Sequence, residues 1–214
     1  NLAPVADVVP KRNAASNEPI ARLDRGYGSD PEQVSRLVRA FSDGMHAGGV
    51  ATAVKHFPGL GAVRENTDFA AEVEDDTTAA DSDLLVPFRD AVESGTEAVM
   101  VSSAIYRKLD PETIATFSPK VIGMLREWGF DGVVISDDLG AAEALAGVRP
   151  GERAVRFVAA GGDLALTVDP AVAGAMVDSL VGRAEDDPDF AERMLGSAAR
   201  VLALKQAHGL VDCG

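Results

Sequence analysis

The chain alternates short, almost wholly apolar runs with longer stretches in which apolar residues recur every three or four positions. Five of the short runs read as strands buried on both faces: Leu2 to Val5, Val50 to Val54, Ala98 to Val101, Gly132 to Ile135 and Leu164 to Thr167. Between them lie helical patterns with recognisable ends. DPEQVSRLVRAFSDGMHAGG opens on Asp30-Pro31, an N-cap and first-turn pair, sets Val34, Leu37, Val38 and Phe41 at helical spacing and closes on Gly48-Gly49. SDLLVPFRDAVESG closes on Gly95, SPKVIGMLREWGF starts at Ser118-Pro119 and breaks at Gly129, and PGERAVRFVAAGG breaks at Gly161. The last helices are predicted over about Asp169 to Gly182 and Asp187 to Ala207. The sequence contains no internal repeat, low-complexity tract or linker.

Strands alternating with helices call for a parallel sheet covered by helices, an α/β fold. A doubly wound sheet usually carries a glycine-rich phosphate loop after its first strand, and APVADVVPKRNAASNEPI has none. Each apolar run is instead followed at its C-terminal end by polar groups: Asp7, Lys55-His56, Ser102-Ser103, Asp137-Asp138 and Asp169. In a (β/α)8 TIM-type barrel such positions converge on one mouth, so the barrel is the better expectation. Five strands do not close a barrel of eight. The expected fold is therefore a partial barrel lacking its first strands, or else an open sheet. With 214 residues the chain is long enough for one domain with a sizeable core and near the lower end for a barrel.

Composition narrows the function classes. Apolar residues make up 46% and charged residues 25%, as in folded soluble proteins. A net charge of −14 repels phosphate backbones, which argues against a nucleic-acid partner. Cys213 is the only cysteine, so neither an intrachain disulfide nor a thiolate metal cluster is possible. No apolar run reaches the roughly 18 residues of a membrane span, and the N-terminus carries no charged-then-apolar signal pattern. Because Asn1 is not an initiator methionine, that missing pattern does not separate a cytoplasmic bacterial protein from an exported one.

Candidate chemistry lies at the strand ends. In GVVISDDLGAAEAL, successive residues of a strand point to opposite faces, so at most one of Asp137 and Asp138 faces a barrel axis while the other braces the loop. A carboxylate there can serve as nucleophile, general base or metal ligand, or simply cap the next helix. Lys55 in a buried strand must send its ammonium to a polar pocket, either to form a Schiff base or, with His56, to donate to sugar hydroxyls. PGLG then holds the loop rigid and lets the backbone approach a ligand. Asn66 and Asp68 are the next polar groups able to return to the mouth, or ordinary turn residues. Arg25, between Asp24 and the glycines of RGYG, can hold a hydroxyl or carboxylate, or pair with Asp24 or Asp30 at the surface. Asp7, His56 and Asp137 lack a clear metal-ligand spacing, and His46 and His208 read as structural or solvated.

Together these stretches resemble the N-terminal catalytic barrel of glycoside hydrolase family 3, in its single-domain β-N-acetylhexosaminidase branch. NLAPVADV is similar to the family's Asn-Phe-Ala-Pro-Val-x-Asp-Val strand, DRGYGSDP to its Arg-Ser-Phe-Gly-x-Asp-Pro segment, and KHFPGLG to its Lys-His-Phe-Pro-Gly-x-Gly signature. LDPETIATFSPKVIGMLREWGFDGVVISDDL resembles the stretch leading to the family's nucleophile, and AGGDLAL its last strand. The resemblance implies a retaining glycosidase that releases a terminal β-linked N-acetylhexosamine from a cell-wall-derived (peptidoglycan) or chitin-like glycan, without cofactor or metal. By position, Asp137 would be the nucleophile, with Arg25, Lys55 and His56 gripping sugar hydroxyls and Asp7 in the pocket floor.

Two departures from the family pattern stand out. Counted without gaps from KHFPGLG, Asn66 and Asp68 occupy the places of the branch's Asp-x-His, whose His is the acid/base. An aspartic acid can protonate a leaving oxygen if burial and the Asp137 charge raise its pKa. Otherwise Asp68 is a substrate ligand and the chain is a catalytically silent sugar-binding module. The family's chains also begin with further strands, including an Asp-x-Glu-Gly-Gly loop, so residues 1–214 read as the later part of a single catalytic barrel domain. An aldolase or lyase with a Lys55 Schiff base is the remaining alternative, and it leaves Asp137 without a role.

Overall fold

The structure, a computed structural model, describes residues 3–212. Leu2 and Cys213 lie outside the described residues. In chain order the elements are α1 (Pro31–Ala47), β1 (Ala53–Phe57), β2 (Glu74–Asp75), α2 (Val86–Glu93), β3 (Ala98–Val101), β4 (Ile105–Tyr106), β5 (Asp110–Ile114), α3 (Pro119–Glu127), β6 (Val133–Asp138), α4 (Pro150–Ala159), β7 (Leu164–Leu166), α5 (Pro170–Asp186) and α6 (Pro188–Ala207).

The principal sheet is parallel, in the order β1-β3-β6-β7. Its register sets Ala53 against Ala98, Ala98 against Val133 and Ile135 against Leu164. The strand expected at Leu2 to Val5 is reduced to a single parallel bridge between Val5 and Lys55, closed by Lys55 N–H donating to the Pro4 carbonyl at 3.2 Å and Ala6 N–H donating to the Lys55 carbonyl at 2.7 Å. The strand expected over Val50 to Val54 is displaced to Ala53–Phe57. Val50 N–H donates to the Met45 carbonyl and so belongs to the end of α1, while Lys55 and His56 become strand residues. A second, three-stranded sheet of β2, β4 and β5 was not expected. Two of its strands have only two residues, and the third, Asp-Pro-Glu-Thr-Ile, has no apolar alternation.

Helix boundaries follow local chemistry. The Asp30, Ser118 and Asp169 side chains accept from backbone N–H groups of the first turn, each before a proline that has no N–H to leave unpaired. Gly95 and Gly129 end their segments at φ 83°, a conformation glycine adopts without steric penalty.

The sheet is largely buried on both faces along β1, β3 and β6, while β7 is partly exposed. On one face Val54, Val99, Val101 and Val134 pack with Val34, Phe88, Ile122, Leu125 and Phe157 from the helices. On the other, Ala53, Ala98, Met100, Val133 and Ile135 form a smaller cluster covered in part by Val201 and Leu204 of α6. This helix passes beneath the N-terminal strand ends. Ser197 Oγ donates to the Gly162 carbonyl, Arg200 pairs with Asp163 ahead of β7, and His208 lies 3.7 Å from Glu97 ahead of β3. The opposite, C-terminal strand ends remain for a site. No helix among the described residues is long and apolar enough to cross a membrane.

Candidate active site

The C-terminal ends of β1 and β6 carry Lys55, His56 and Asp137, and the N-terminal segment bridged to β1 at Val5 supplies Asp7. The Asp7 carboxylate is fully buried and serves three donors: His56 N–H at 3.2 Å, His56 Nδ1 at 2.8 Å and Leu60 N–H at 2.5 Å. An ionised carboxylate only accepts hydrogen bonds, which places a hydrogen on Nδ1 and leaves Nε2 for another partner. Asp7 therefore orients the imidazole and ties down the PGLG loop. The Lys55–His56 and Phe57–Pro58 peptides are both cis. Lys55 is half-buried in β1, two residues on from Ala53 of the smaller cluster.

The PGLG loop is held from a second side by Asn17, only 1% exposed. Its Nδ2 donates to the Leu60 carbonyl at 2.7 Å and the Val63 carbonyl at 2.9 Å, while Oδ1 accepts from Ile20 and Ala21 N–H. Gly61 is required here, since a Cβ would lie 1.8 Å from the Val8 carbonyl oxygen. The same clamp places Arg25, whose Nε donates to the Pro19 carbonyl at 2.7 Å. Its anchor is thus a backbone oxygen, not the neighbouring carboxylates Asp24 or Asp30.

At the end of β6 the two aspartates separate as alternation demands. Asp138, 8% exposed, faces the loop and accepts from Gly140, Ala141 and Val168 N–H, each at 2.9 Å. Asp137 shares the parity of Val133 and Ile135, the smaller-cluster side, and is half-buried. Its Oδ1 accepts from the Asp138 N–H at 2.9 Å. The loop that follows is pinned by Arg153, whose Nη1 donates to the Leu139 and Gly140 carbonyls at 2.7 and 2.8 Å. Gly140 admits no side chain, for a Cβ there would stand 2.0 Å from Thr167 Oγ1.

The segment 66–70 closes over this end. Asn66 is buried and its Oδ1 accepts from Asp68 N–H at 3.0 Å, so it serves as a turn residue that presents Asp68. The Thr67 carbonyl accepts from Ala144 N–H at 3.1 Å and the Asp68 carbonyl from Glu143 N–H at 3.3 Å, which docks this segment on the loop after β6. Although the residue as a whole is exposed, loss of water around the Asp68 carboxyl raises its pKa, and Asp137 and Asp138 raise it further, against opposing effects of Arg25 and His56. Asp68, Asp137, Arg25 and His56 thus share one electrostatic neighbourhood. A carboxylic acid with raised pKa beside an ionised carboxylate is the arrangement suited to proton donation next to nucleophilic attack.

Asn17, Arg153 and Tyr106 were not among the expected site residues. Tyr106, fully buried, donates its hydroxyl to the Gly59 carbonyl at 3.0 Å and lies 2.8 Å from Ser102 Oγ. Burial and then the Asp75 charge push its pKa well above the ordinary value, so it remains a neutral donor. Arg153 stands between Glu152 and Ala154 in GERAVRF, so its neighbours do not distinguish it from a surface arginine. Among the described residues no group of three or more His, Cys, Asp or Glu side chains is arranged to hold a metal ion.

Comparison with known proteins places this geometry in context. The β-hexosaminidase of Stenotrophomonas maltophilia is 36% identical over 190 residues, which cover 86% of this chain and 53% of that protein. The chain thus spans about half the length of the curated relatives it matches. Among solved structures, the β-N-acetylhexosaminidase from Beutenbergia cavernae superposes with a TM-score of 0.94 at 45% identity, covering 96% of this chain and 62% of that one. The family 3 β-N-acetylglucosaminidase from a Paenibacillus species gives a TM-score of 0.87 at 34% identity, covering 100% of this chain and 41% of that one. Residues 1–204 match the model of the glycosyl hydrolase family 3 N-terminal domain. With that match over most of its length, on a parallel α/β fold of the same type, the chain belongs to glycosyl hydrolase family 3.

Proposed function

We propose that this chain is the later part of a single TIM-type barrel domain that releases a terminal β-linked N-acetylhexosamine from a glycan by a retaining double displacement. The relatives named above are β-hexosaminidases or β-N-acetylglucosaminidases, which supports this substrate class. The observation that carries the reading is the division between two adjacent carboxylates: Asp138 is taken up by three backbone donors of its own loop, whereas Asp137 stands at the strand end, near enough for its charge to raise the Asp68 pKa.

In the first step the Asp137 carboxylate attacks the anomeric carbon while the protonated Asp68 gives its proton to the leaving oxygen, so the glycosidic C–O bond breaks as the glycosyl–Asp137 ester forms. In the second, ionised Asp68 takes a proton from water as that water attacks the anomeric carbon, and Asp137 leaves as carboxylate. Arg25, Lys55 and His56 donate to sugar hydroxyls, with His56 oriented by Asp7, and Asn66 holds the turn that presents Asp68. Cell-wall glycan, including peptidoglycan fragments, is the substrate source this chemistry suits.

Exchanging Asp137 for Asn should lower release from an aryl N-acetylglucosaminide by at least about 10³-fold, roughly the loss of 4 kcal/mol of transition-state stabilisation. Turnover equal to that of the parent would overturn the assignment. A second reading is favoured by one observation, the lack of an imidazole on segment 66–68. On it the chain binds sugar without turnover, which calorimetry showing glycan affinity in a preparation inert toward the aryl glycoside would establish.

A further inference from the structure

Phe69 is 82% exposed, more than any other large apolar residue among those described. Exposed apolar side chains scattered over helices are ordinary, and Leu195, Val177 and Leu202 on α5 and α6 are of that kind. Phe69 differs in its place, directly after Asp68 in the segment docked to the loop behind Asp137. That segment is fixed by hydrogen bonds at both ends of the turn: Phe69 N–H and Ala70 N–H donate to the Asn66 carbonyl at 3.0 and 2.9 Å, and the Thr67 and Asp68 carbonyls accept from Ala144 and Glu143. The backbone that carries the ring is therefore braced, so the segment itself need not be ordered when a ligand arrives.

We infer that the Phe69 ring forms the platform for the leaving-group side of the substrate, stacking on the C–H face of the pyranose that the released sugar was attached to. This rests on the function proposed above. A group that protonates the glycosidic oxygen stands beside the leaving sugar, and the next Cα along the chain is only ~3.8 Å away. Aromatic faces carry partial negative charge and meet the weakly positive C–H groups of a sugar ring, as they meet the edges of other rings. Such contact is indifferent to hydroxyl pattern. The platform would favour any pyranose over a small or acyclic leaving group without selecting one sugar.

The test measures binding, so it does not depend on turnover. Calorimetry on the whole 214-residue chain would compare a thio-linked, uncleavable N-acetylglucosamine disaccharide with the free monosaccharide, for the parent, Phe69→Ala and Phe69→Trp. The expected result is disaccharide binding about tenfold tighter than monosaccharide in the parent, a factor equal to ~1.4 kcal/mol. That ratio should fall to near one in Phe69→Ala and persist in Phe69→Trp. A ratio unchanged in Phe69→Ala, or a parent that binds both sugars equally or neither, overturns the inference. Hydrolysis of an aryl N-acetylglucosaminide, measured alongside, reports separately on the catalytic reading.

Discussion

Asp137 and Asp138 are chemically identical neighbours in different surroundings, and the Asp68 carboxyl has its pKa raised by partial loss of water and then by the Asp137 charge. Because the folded chain holds the Asp68 proton more tightly than an unfolded chain does, its ionisation opposes folding. Stability from this group is present at low pH and declines as the pH rises from the ordinary 3.8 through the raised folded value. The same titration governs the proposed proton transfer. For a substrate with a poor leaving group, kcat/KM should fall as pH rises through the Asp68 pKa, and Asp68→Asn should lose about 10²- to 10⁴-fold and that limb of the profile. An unaltered limb in the variant would place the acid on another residue. The split of Asp137 from Asp138 was legible in the sequence, since it needs only the two-residue period of a strand. The supports were not. Asn17 and Arg153 hold backbone carbonyls 43 and 14 positions away, and nothing local marks a side chain for a distant carbonyl.

At the level of elements, the apolar runs located β3 without error and β7 closely, because buried strands are continuous hydrophobic stretches, but ended β6 at Ile135, whereas it continues through the polar Ser136, Asp137 and Asp138. They misplaced β1, where the end of α1 claims Val50 and the polar pair Lys55-His56 continues the strand. They missed a polar clasp beneath the sheet, centred on Glu97. Its carboxylate accepts from Thr52 N–H at 3.1 Å and lies 2.9 Å from His46 Nε2, with His208 at 3.7 Å on its other oxygen. Burial pushes the Glu97 pKa up, but the hydrogen bonds from Thr52 and His46 outweigh it and hold the group below its ordinary 4.5. Here the unfolded chain binds the proton more readily, so the contribution is complete above pH 4.5 and is lost as the pH falls through the folded value. Glu97→Gln should cost on the order of 1 kcal/mol at neutral pH and flatten stability between pH 5 and 3, read by denaturant melts. A variant whose acid sensitivity matches the parent would show that the clasp is inert.

For the whole molecule, the sheet has two unclosed sides: β7 has a strand on one flank only, and β1 is met on the other by a single bridge at Val5. Unpaired strand edges and exposed apolar side chains such as Leu164, Val177 and Leu195 invite association, against which a net charge of −14 works at long range. The 214-residue chain should accordingly show self-association in solution scattering that grows as added salt screens its charge. A compact, monodisperse monomer at all ionic strengths would count against this.

α6 is drawn across the underside and fixed at Gly162 and Asp163, with the His208 that follows it set against Glu97, so the N-terminal strand ends are covered and the C-terminal ends are the side left for a ligand. On the proposed chemistry a freed sugar occupies the place beside Asp137 and Asp68 that the next substrate needs, and so obstructs the next arrival until it departs. Accumulating product then acts as a rival for the same seat, and turnover is self-limiting without any regulator.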